Sequence, residues 1–130
     1  MKRLVVNDEK VSMITSAFFT LKHQNEARCY EIHSTAGFGK KDLVLGVNWS
    51  ACGTRTPGET KAFANHLMRA AEFVDYINSL HLMVEYRDEP LYESKEDYME
   101  TMQDVCDAVR DYKMFDLANW LCADAREVEA

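Results

Sequence analysis

The spacing of apolar side chains changes close to Thr56 in this 130-residue chain, and the change limits the folds open to it. Before Thr56 the apolar positions alternate with a period near two, as in strands, whereas after it they recur every three or four positions, as in helices. Thr56 can cap a helix, Pro57 suits the first helical turn, and Glu59 stands three residues after the cap. The pattern predicts an α+β fold in which the strands come first.

Four segments of the N-terminal half are predicted as strands. The clearest is residues 42–50, where every second position from 43 onward is apolar. Residues 11–22 are rich in β-branched and aromatic side chains, which favours a second strand, with a helix as the competing interpretation. Residues 28–34 are predicted as a third strand and residues 3–6 as an edge strand. The N-terminal half is then an antiparallel β-meander.

The helix that begins at Thr56 carries an apolar stripe, which is expected to lie across this sheet. A further strand is predicted at residues 81–87. A second helix is predicted after Ser94, its N-cap, because Glu96 and Asp97 then stand at the positive end of the helix dipole. The expected architecture is an N-terminal antiparallel β-meander covered by one helix and followed by two C-terminal helices.

The last helix, predicted over residues 114–125, is apolar on nearly every side. A terminal helix without a polar face is usually buried, either in the core of its own chain or against another copy. Because the sheet already has a covering helix, we expect a homo-oligomer, while packing into the chain's own core is the alternative. The residues predicted at the interface between copies are Met114, Phe115, Leu117, Trp120 and Leu121.

Length and composition indicate a single domain over residues 1–130. With 47% hydrophobic and 28% charged residues, the chain is typical of a folded domain, and no repeat or linker divides it. No apolar run approaches the roughly 18 residues of a membrane span, and the N-terminus lacks the pattern of a signal peptide. We therefore expect a cytoplasmic protein without membrane association, whose four cysteines are reduced thiols.

Charge is distributed unevenly along the chain. Residues 1–53 carry seven Lys and Arg side chains against five carboxylates, and residues 54–130 carry eight against seventeen, within a net charge of -7. Because nucleic-acid affinity comes mainly from neutralised phosphates, we expect no direct binding to DNA or RNA. Carboxylates recur at three- and four-residue spacing on the second helix, which predicts a negative face that is either solvated or binds a basic surface. Its residues are Glu93, Asp97, Glu100, Asp104, Asp107 and Asp111.

The segment HSTAGFGKKD, residues 33–42, has some features of a phosphate-binding loop. It lacks the glycine and the hydroxyl residue that a P-loop requires at fixed positions, and a strand rather than a helix is predicted after it. We therefore predict a hairpin turn in which Gly37 and Gly39 adopt positive φ angles. Lys40 and Lys41 are then exposed at its tip, as a candidate contact for an acidic partner or a phosphate.

A second class of function is a binder that sequesters a nucleotide-like ligand between subunits. Basic side chains would contact the phosphates and aromatic side chains would stack on the base. The residues predicted for this role are Phe38, Lys40, Lys41, Trp49, Arg55, Arg110 and Tyr112.

A catalytic or metal-binding role has less support. Cys52 lies between a predicted strand end and a helix start, where helix amides stabilise a thiolate. His33 or His66 would serve as its base only if the fold brought them together, and no third, orienting residue is recognisable. We expect an inert thiol and a non-enzymatic protein, while an activity that depends on Cys52 stays open. No spacing of His and Cys predicts a metal site or a cofactor.

The run VNWSACGTRTPGETKAFANHLMRAAEF, residues 47–73, combines a strand end, a Gly-Thr turn, a Thr-Pro-x-Glu cap and an alanine-rich helix. In this run the chain resembles small accessory proteins of phages and prophages. The resemblance implies a non-catalytic accessory role, including inhibition of bacterial immunity, and it assigns no functional residue.

The sequence thus predicts a small non-enzymatic binding or inhibitory protein. It is expected to engage the basic surface of a protein partner through the acidic face of its second helix, and to form a homo-oligomer. The alternative is the oligomeric binder of a nucleotide-like ligand.

Overall fold

A computed structural model describes the backbone of residues 2–24, 30–33, 39–49, 56–85 and 91–129, and the side chains of these ranges other than 20–24 and 30–33. These ranges show a mixed α+β fold with four helices and a four-stranded sheet. The predicted α+β class is confirmed, but the expectation that the strands come first is wrong, because a helix over residues 8–24 precedes every described strand except the first. The helices are α1 (Asp8–Gln24), α2 (Pro57–Ser79), α3 (Lys95–Arg110) and α4 (Met114–Cys122). The strands are β1 (Lys2–Asn7), β2 (Tyr30–His33), β3 (Lys40–Asp42), β4 (Gly46–Trp49), β5 (Met83–Glu85) and β6 (Arg126–Glu129).

The prediction of a strand over residues 11–22 is wrong, because these residues belong to α1. The start of α1 has a local cause. The side-chain oxygen of Asn7 accepts the backbone N–H of Glu9 at 2.8 Å, as an N-cap does. The carboxylates of Asp8 and Glu9 then stand at the positive end of the helix dipole.

Burial along α1 also follows helical spacing. Val11, Ile14 and Phe18 are all buried, and the ring of Phe18 stacks on that of Phe73 in α2 with centroids 5.9 Å apart. β-branched and aromatic residues lower helix propensity by only tenths of a kcal/mol each, roughly. Burial of these large side chains outweighs that preference, so the propensity that favours a strand here is overridden by packing.

The predicted N-terminal meander is confirmed only in part, because β1 pairs with strands from the second half of the chain. The four-stranded sheet has the order β3-β5-β1-β6, so β1 is an interior strand and the prediction that it forms an edge is wrong. It runs parallel to β5, with Val5 opposite Met83, and antiparallel to β6, with Lys2 opposite Glu129. A parallel pair needs a long crossover, which here includes α1 and α2.

The segment predicted as one strand at residues 42–50 contributes to two sheets. β3 lies at the edge of the four-stranded sheet and pairs antiparallel with β5, whereas β4 pairs antiparallel with β2 in a separate two-stranded sheet. Leu43 and Leu45 lie between β3 and β4 and are buried, as the alternation predicts. The same alternation predicts that Trp49 is buried, but Trp49 is 57% exposed, so that part of the prediction is wrong.

Hydrogen bonds hold this irregular crossing between β3 and β4 in place. The backbone N–H of Leu43 donates to the carbonyl of Leu82 at 2.8 Å. The side chain of Asn78 bonds both backbone groups of Leu45, accepting its N–H at 2.9 Å and donating to its carbonyl at 3.0 Å. Because their backbone groups are satisfied in this way, two leucines outside the strands can enter the core.

Both predicted helix caps are confirmed. The Thr56 hydroxyl accepts the N–H of Glu59, whose carboxylate accepts the N–H of Thr56 in return, each at 3.1 Å. The Ser94 hydroxyl accepts the N–H of Asp97 at 3.1 Å and begins α3. The strand predicted at residues 81–87 is present over Met83–Glu85 as β5, whereas His81 and Leu82 precede it, and residues 86 and 87 lie outside the described residues.

The buried apolar side chains form one cluster that draws on all four helices and on the four-stranded sheet. α1 packs against β1, α3 and α4, while α2 reaches α4 and the two-stranded sheet. In the described parts of the chain, no helix combines the length and the apolar character needed to cross a membrane.

Candidate functional site

The acidic face of α3 comprises the six carboxylates predicted from the sequence. Asp97, Glu100, Asp104 and Asp107 lie on the helix, whereas Glu93 stands just before its N-cap and Asp111 is its C-cap. Five of them are exposed and Asp107 is half-buried. Asp107 is also the most engaged, since it accepts a hydrogen bond from Gln103 at 2.9 Å and forms an ion pair with Arg110. The outward negative charge is therefore strongest at Asp97, Glu100 and Asp104, whose spacing keeps them on one side of the helix.

The acidic face borders a groove of about 300 Å³ between α3 and α4. Its walls are mostly apolar, and it carries one carboxylate from each helix, Asp104 and Asp116. Asp116 was missed in the sequence, although it stands in the first turn of α4, where the helix dipole favours an acidic residue. The lining residues are Thr101, Asp104, Val105, Ala108, Asp116, Leu117 and Trp120.

Trp120, which lines this groove, is bonded to a buried lysine. Lys10 of α1 is 7% exposed, and its ammonium group donates to the carbonyl of Trp120 at 2.8 Å and to the carboxylate of Asp124 at 2.9 Å. The same group lies 4.8 Å from the centroid of the Trp120 ring, within cation–π range. These contacts fix α4 against α1 and give the groove a defined wall.

A second cavity, here called the Tyr112 cavity, has a volume of about 280 Å³ and lies between α2, the turn that joins α3 to α4, and the first turn of α4. It has aromatic walls, with the rings of Tyr76 and Phe115 in contact at a centroid distance of 4.9 Å. Two basic and two acidic side chains complete it. The lining residues are Arg69, Glu72, Phe73, Tyr76, Tyr112, Lys113, Met114, Phe115 and Asp116.

Tyr112 has a left-handed backbone conformation, with φ at 59°, which is unusual for a residue other than glycine. Its side chain is held by two residues of α2. The hydroxyl group contacts both ring nitrogens of His66, and the guanidinium of Arg69 lies 5.6 Å from the ring centroid. His66 therefore serves to position an aromatic wall of the cavity, a role that its place in the sequence does not reveal.

A further cavity of about 430 Å³ lies beside β3. The guanidinium of Arg3 lines it but is already bonded to other residues of the chain. The guanidinium of Arg3 donates to the carbonyls of His81 and Leu82 at 3.0 and 3.3 Å, and it forms an ion pair with Asp42 at 2.7 Å. These bonds tie β1 to the end of β3, so Arg3 has a structural role here.

Seven residues were predicted to bind a nucleotide-like ligand, and the five that the structure describes do not line the same cavity. Lys40 and Lys41 lie on β3 and Trp49 on β4, and neither strand lines the cavity that Tyr112 lines. Arg110 forms an ion pair with Asp107 on the acidic face. Phe38 and Arg55 lie outside the described residues.

The prediction that Lys40 and Lys41 sit at a hairpin tip is also wrong, because both belong to β3 and pair with β5. The positive φ predicted for Gly39 is confirmed, at 78°, and Gly37 lies outside the described residues. The fold thus uses the double lysine as an edge strand, where charged side chains discourage pairing with other chains.

The five residues predicted at an interface between copies differ in their exposure. Leu117 and Leu121 are buried in the chain's own core, Met114 and Trp120 are half-buried, and Phe115 is 65% exposed. The two leucines are therefore unavailable for contact with a second copy, because α4 packs into its own core.

Two cysteines fall within the described residues, and both are free thiols. Burial raises the pKa of the Cys106 thiol above its ordinary value, against a smaller opposing effect of Arg110. Burial also raises the pKa of Cys122, opposed by Lys10. A protonated thiol is a weak nucleophile, so neither residue is suited to covalent catalysis at neutral pH.

Cys52, the thiol considered for catalysis, and Cys29 lie outside the described residues. Within the parts of the chain that the structure describes, no group of three or more His, Cys, Asp or Glu side chains is arranged to hold a metal ion.

Comparisons with known proteins found no match to this chain among family models, curated proteins or solved structures.

Proposed function

We propose that this chain is a small non-enzymatic binding protein that engages the basic surface of a protein partner through the acidic face of α3. The observation that carries the proposal is the exposure of Asp97, Glu100 and Asp104 along one side of a capped helix, directly beside the groove between α3 and α4. Charge and an apolar recess at the same place are the two components of a protein-binding surface.

The two components have different physical roles. Exposed carboxylates attract a basic partner over about 8 Å at physiological ionic strength, which speeds association and selects the partner by charge. Most of the affinity must come from apolar side chains that enter a recess and lose contact with water. The groove supplies that recess, with Asp104 and Asp116 placed to pair with the cationic end of an inserted Lys or Arg side chain.

The proposal concerns a partner protein rather than a second copy of this chain, since the leucines of α4 face inward. An accessory role in a phage or prophage, which the resemblance of residues 47–73 implies, stays a prediction. A protein that works by occupying a basic surface of another protein is consistent with such a role.

Reversal of the three central charges tests the proposal. In the triple variant Asp97→Lys, Glu100→Lys, Asp104→Lys, we expect binding to a basic partner to fall at least a hundredfold, because attraction becomes repulsion. The readout is capture by the tagged chain from host cells, followed by titration of the purified partner. A lysine- and arginine-rich peptide serves as a defined probe, with its contacts mapped by NMR.

A matched control places the same change of charge elsewhere. The variant Asp75→Lys, Glu127→Lys, Glu129→Lys alters α2 and β6 and leaves α3 intact, so it should retain most of the binding. If the partner binds the α3 variant as tightly as the unmodified chain, or if both triple variants lose binding equally, the acidic face is not the binding surface.

A further inference from the structure

We propose that the Tyr112 cavity binds a small zwitterion with a single aromatic ring, of the class to which the aromatic amino acids belong. The inference goes beyond the proposed function, because this cavity is lined by α2 and the start of α4 rather than by α3.

The walls of the cavity are suited to an aromatic ring. Phe115 is 65% exposed although it is a large apolar side chain, and one of its neighbours is the ring of Tyr76. Phe73 is buried and closes the inner side. A ligand ring placed against Phe115 and Tyr76 would remove apolar surface from water and add an aromatic contact to an existing pair.

The charges around the cavity indicate a ligand that carries both signs. Arg69 and Lys113 are cationic, whereas Glu72 and Asp116 are anionic, and all four line the same space. Arg69 and Glu72 approach each other at 3.6 Å on the exposed side of α2. A simple anion would meet two carboxylates and a simple cation would meet two basic groups, but a zwitterion can pair with both signs at once.

The volume of the cavity suits a small ligand. About 280 Å³ lies just below the range of about 300–1,000 Å³ that is usual for pockets that hold drug-sized ligands. One ring with a short charged chain fits such a space. The cavity also differs in its residues from the nucleotide site predicted from the sequence, with which it shares, among the described residues, Tyr112 alone.

The geometry of Tyr112 indicates that the cavity is preformed. The positive φ of Tyr112 belongs to the end of α3, where the backbone N–H of Lys113 donates to the carbonyl of Ala108 at 2.8 Å and fixes the chain direction after the helix. His66 and Arg69, which lie three positions apart on α2, both contact its side chain. A side chain that is already held in its bound conformation loses less conformational entropy on binding than a mobile one.

Calorimetric or NMR titration of the full chain with phenylalanine, tyrosine and tryptophan tests the inference. We expect saturable binding by at least one of them. Removal of either charge, as in 3-phenylpropionate or phenethylamine, should weaken binding at least tenfold, and leucine, which keeps both charges but lacks the ring, should bind at least tenfold more weakly as well. Amide shifts on binding should be centred on Tyr112 and Phe115.

Two variants with matched controls keep the test independent of folding. Phe115→Ala should weaken binding at least tenfold, whereas Met99→Ala, an exposed apolar residue of α3, should not. Lys113→Gln should weaken binding severalfold, whereas Lys61→Gln, an exposed lysine of α2, should not. Thermal unfolding of each variant shows that it is folded.

The inference is overturned if none of the three amino acids binds at millimolar concentration, if phenethylamine or 3-phenylpropionate binds as tightly as they do, or if Phe115→Ala binds like the unmodified chain. The α3 charge-reversal variant should retain the ligand, because none of its three substitutions lies in the cavity. Loss of partner binding and loss of ligand binding are thus separate outcomes.

Discussion

Lys10 is a buried charge with two partners from the C-terminal part of the chain. Its ammonium group joins α1 to the carbonyl of Trp120 and to the carboxylate of Asp124, which precedes β6. A buried ammonium group is tolerated only where it is hydrogen-bonded and paired. Nothing in the sequence near Lys10 predicts these partners, which lie more than a hundred positions away.

Lys10→Met should destabilise the chain, since it keeps the aliphatic part of the side chain and removes the charge. Without the ammonium group the carbonyl of Trp120 and the half-exposed carboxylate of Asp124 lose a donor, which should cost about 1–3 kcal/mol in the free energy of unfolding. Urea unfolding measures this difference. The exposed Lys95→Met should change stability by less than about 0.5 kcal/mol. Equal effects at the two positions would contradict the role assigned to Lys10.

At the scale of elements, local sequence accounts well for where α2 and α3 begin. Thr56 and Ser94 were identified from residue type and spacing alone, and both accept the predicted backbone N–H groups. These signals are reliable because a cap depends on residues within one turn of each other. The start of α1 carries the same kind of signal in Asn7, Asp8 and Glu9, but the β-branched residues after it outweighed that signal in the prediction.

The capping box of α2 gives a prediction at this scale. Thr56→Ala removes the acceptor for the N–H of Glu59 and should lower the free energy of unfolding by about 1 kcal/mol. Thr56→Ser retains a hydroxyl group and should restore most of the loss. Thermal or urea unfolding distinguishes the variants. If Ala and Ser were equivalent at this position, the cap would contribute no stability.

Pairing between strands is the part of the fold that local sequence did not reveal. β1 was recognised as a strand, but its neighbours β5 and β6 lie in the second half of the chain. The alternation of apolar and polar residues shows which side of a strand is buried. It does not show which other strand pairs with it. For the same reason, the division of residues 42–50 between two sheets was not foreseen.

For the molecule as a whole, three half-buried groups predict how stability depends on pH. Burial raises the pKa values of Cys106, Cys122 and Tyr92 above their ordinary values. In the unfolded chain these groups lose their protons at a lower pH than in the folded chain. Their contribution to stability is therefore complete below about pH 9 and falls as the pH rises through the folded pKa values.

The measurement is the free energy of unfolding in urea, under reducing conditions, from neutral to alkaline pH. We expect a steady decrease above about pH 9. A variant with Cys106→Ala, Cys122→Ala and Tyr92→Phe should show a smaller decrease over the same interval, whatever its stability at neutral pH. An identical pH dependence in the two proteins would show that these groups do not cause it.

The two candidate sites also differ in how far the sequence predicts them. The acidic face lies on one helix, and its carboxylates were identified by three- and four-residue spacing, because the geometry of a helix is regular. The Tyr112 cavity joins α2 to a turn that begins more than thirty positions later. Of its lining residues, Tyr112 was the one predicted to bind a small ligand, and its expected neighbours were different.

Local sequence accounts for the features that depend on neighbouring residues: the mixed α+β character, the starts of α2 and α3, and the distribution of charge. Capping, helical spacing and net charge are all decided within a few positions along the chain. Tertiary structure alone decided the partners of β1, the burial of Lys10 and of the leucines of α4, and the assembly of the Tyr112 cavity. These features depend on which apolar surfaces are buried against each other when the chain folds. The residues that form these contacts lie far apart in the sequence.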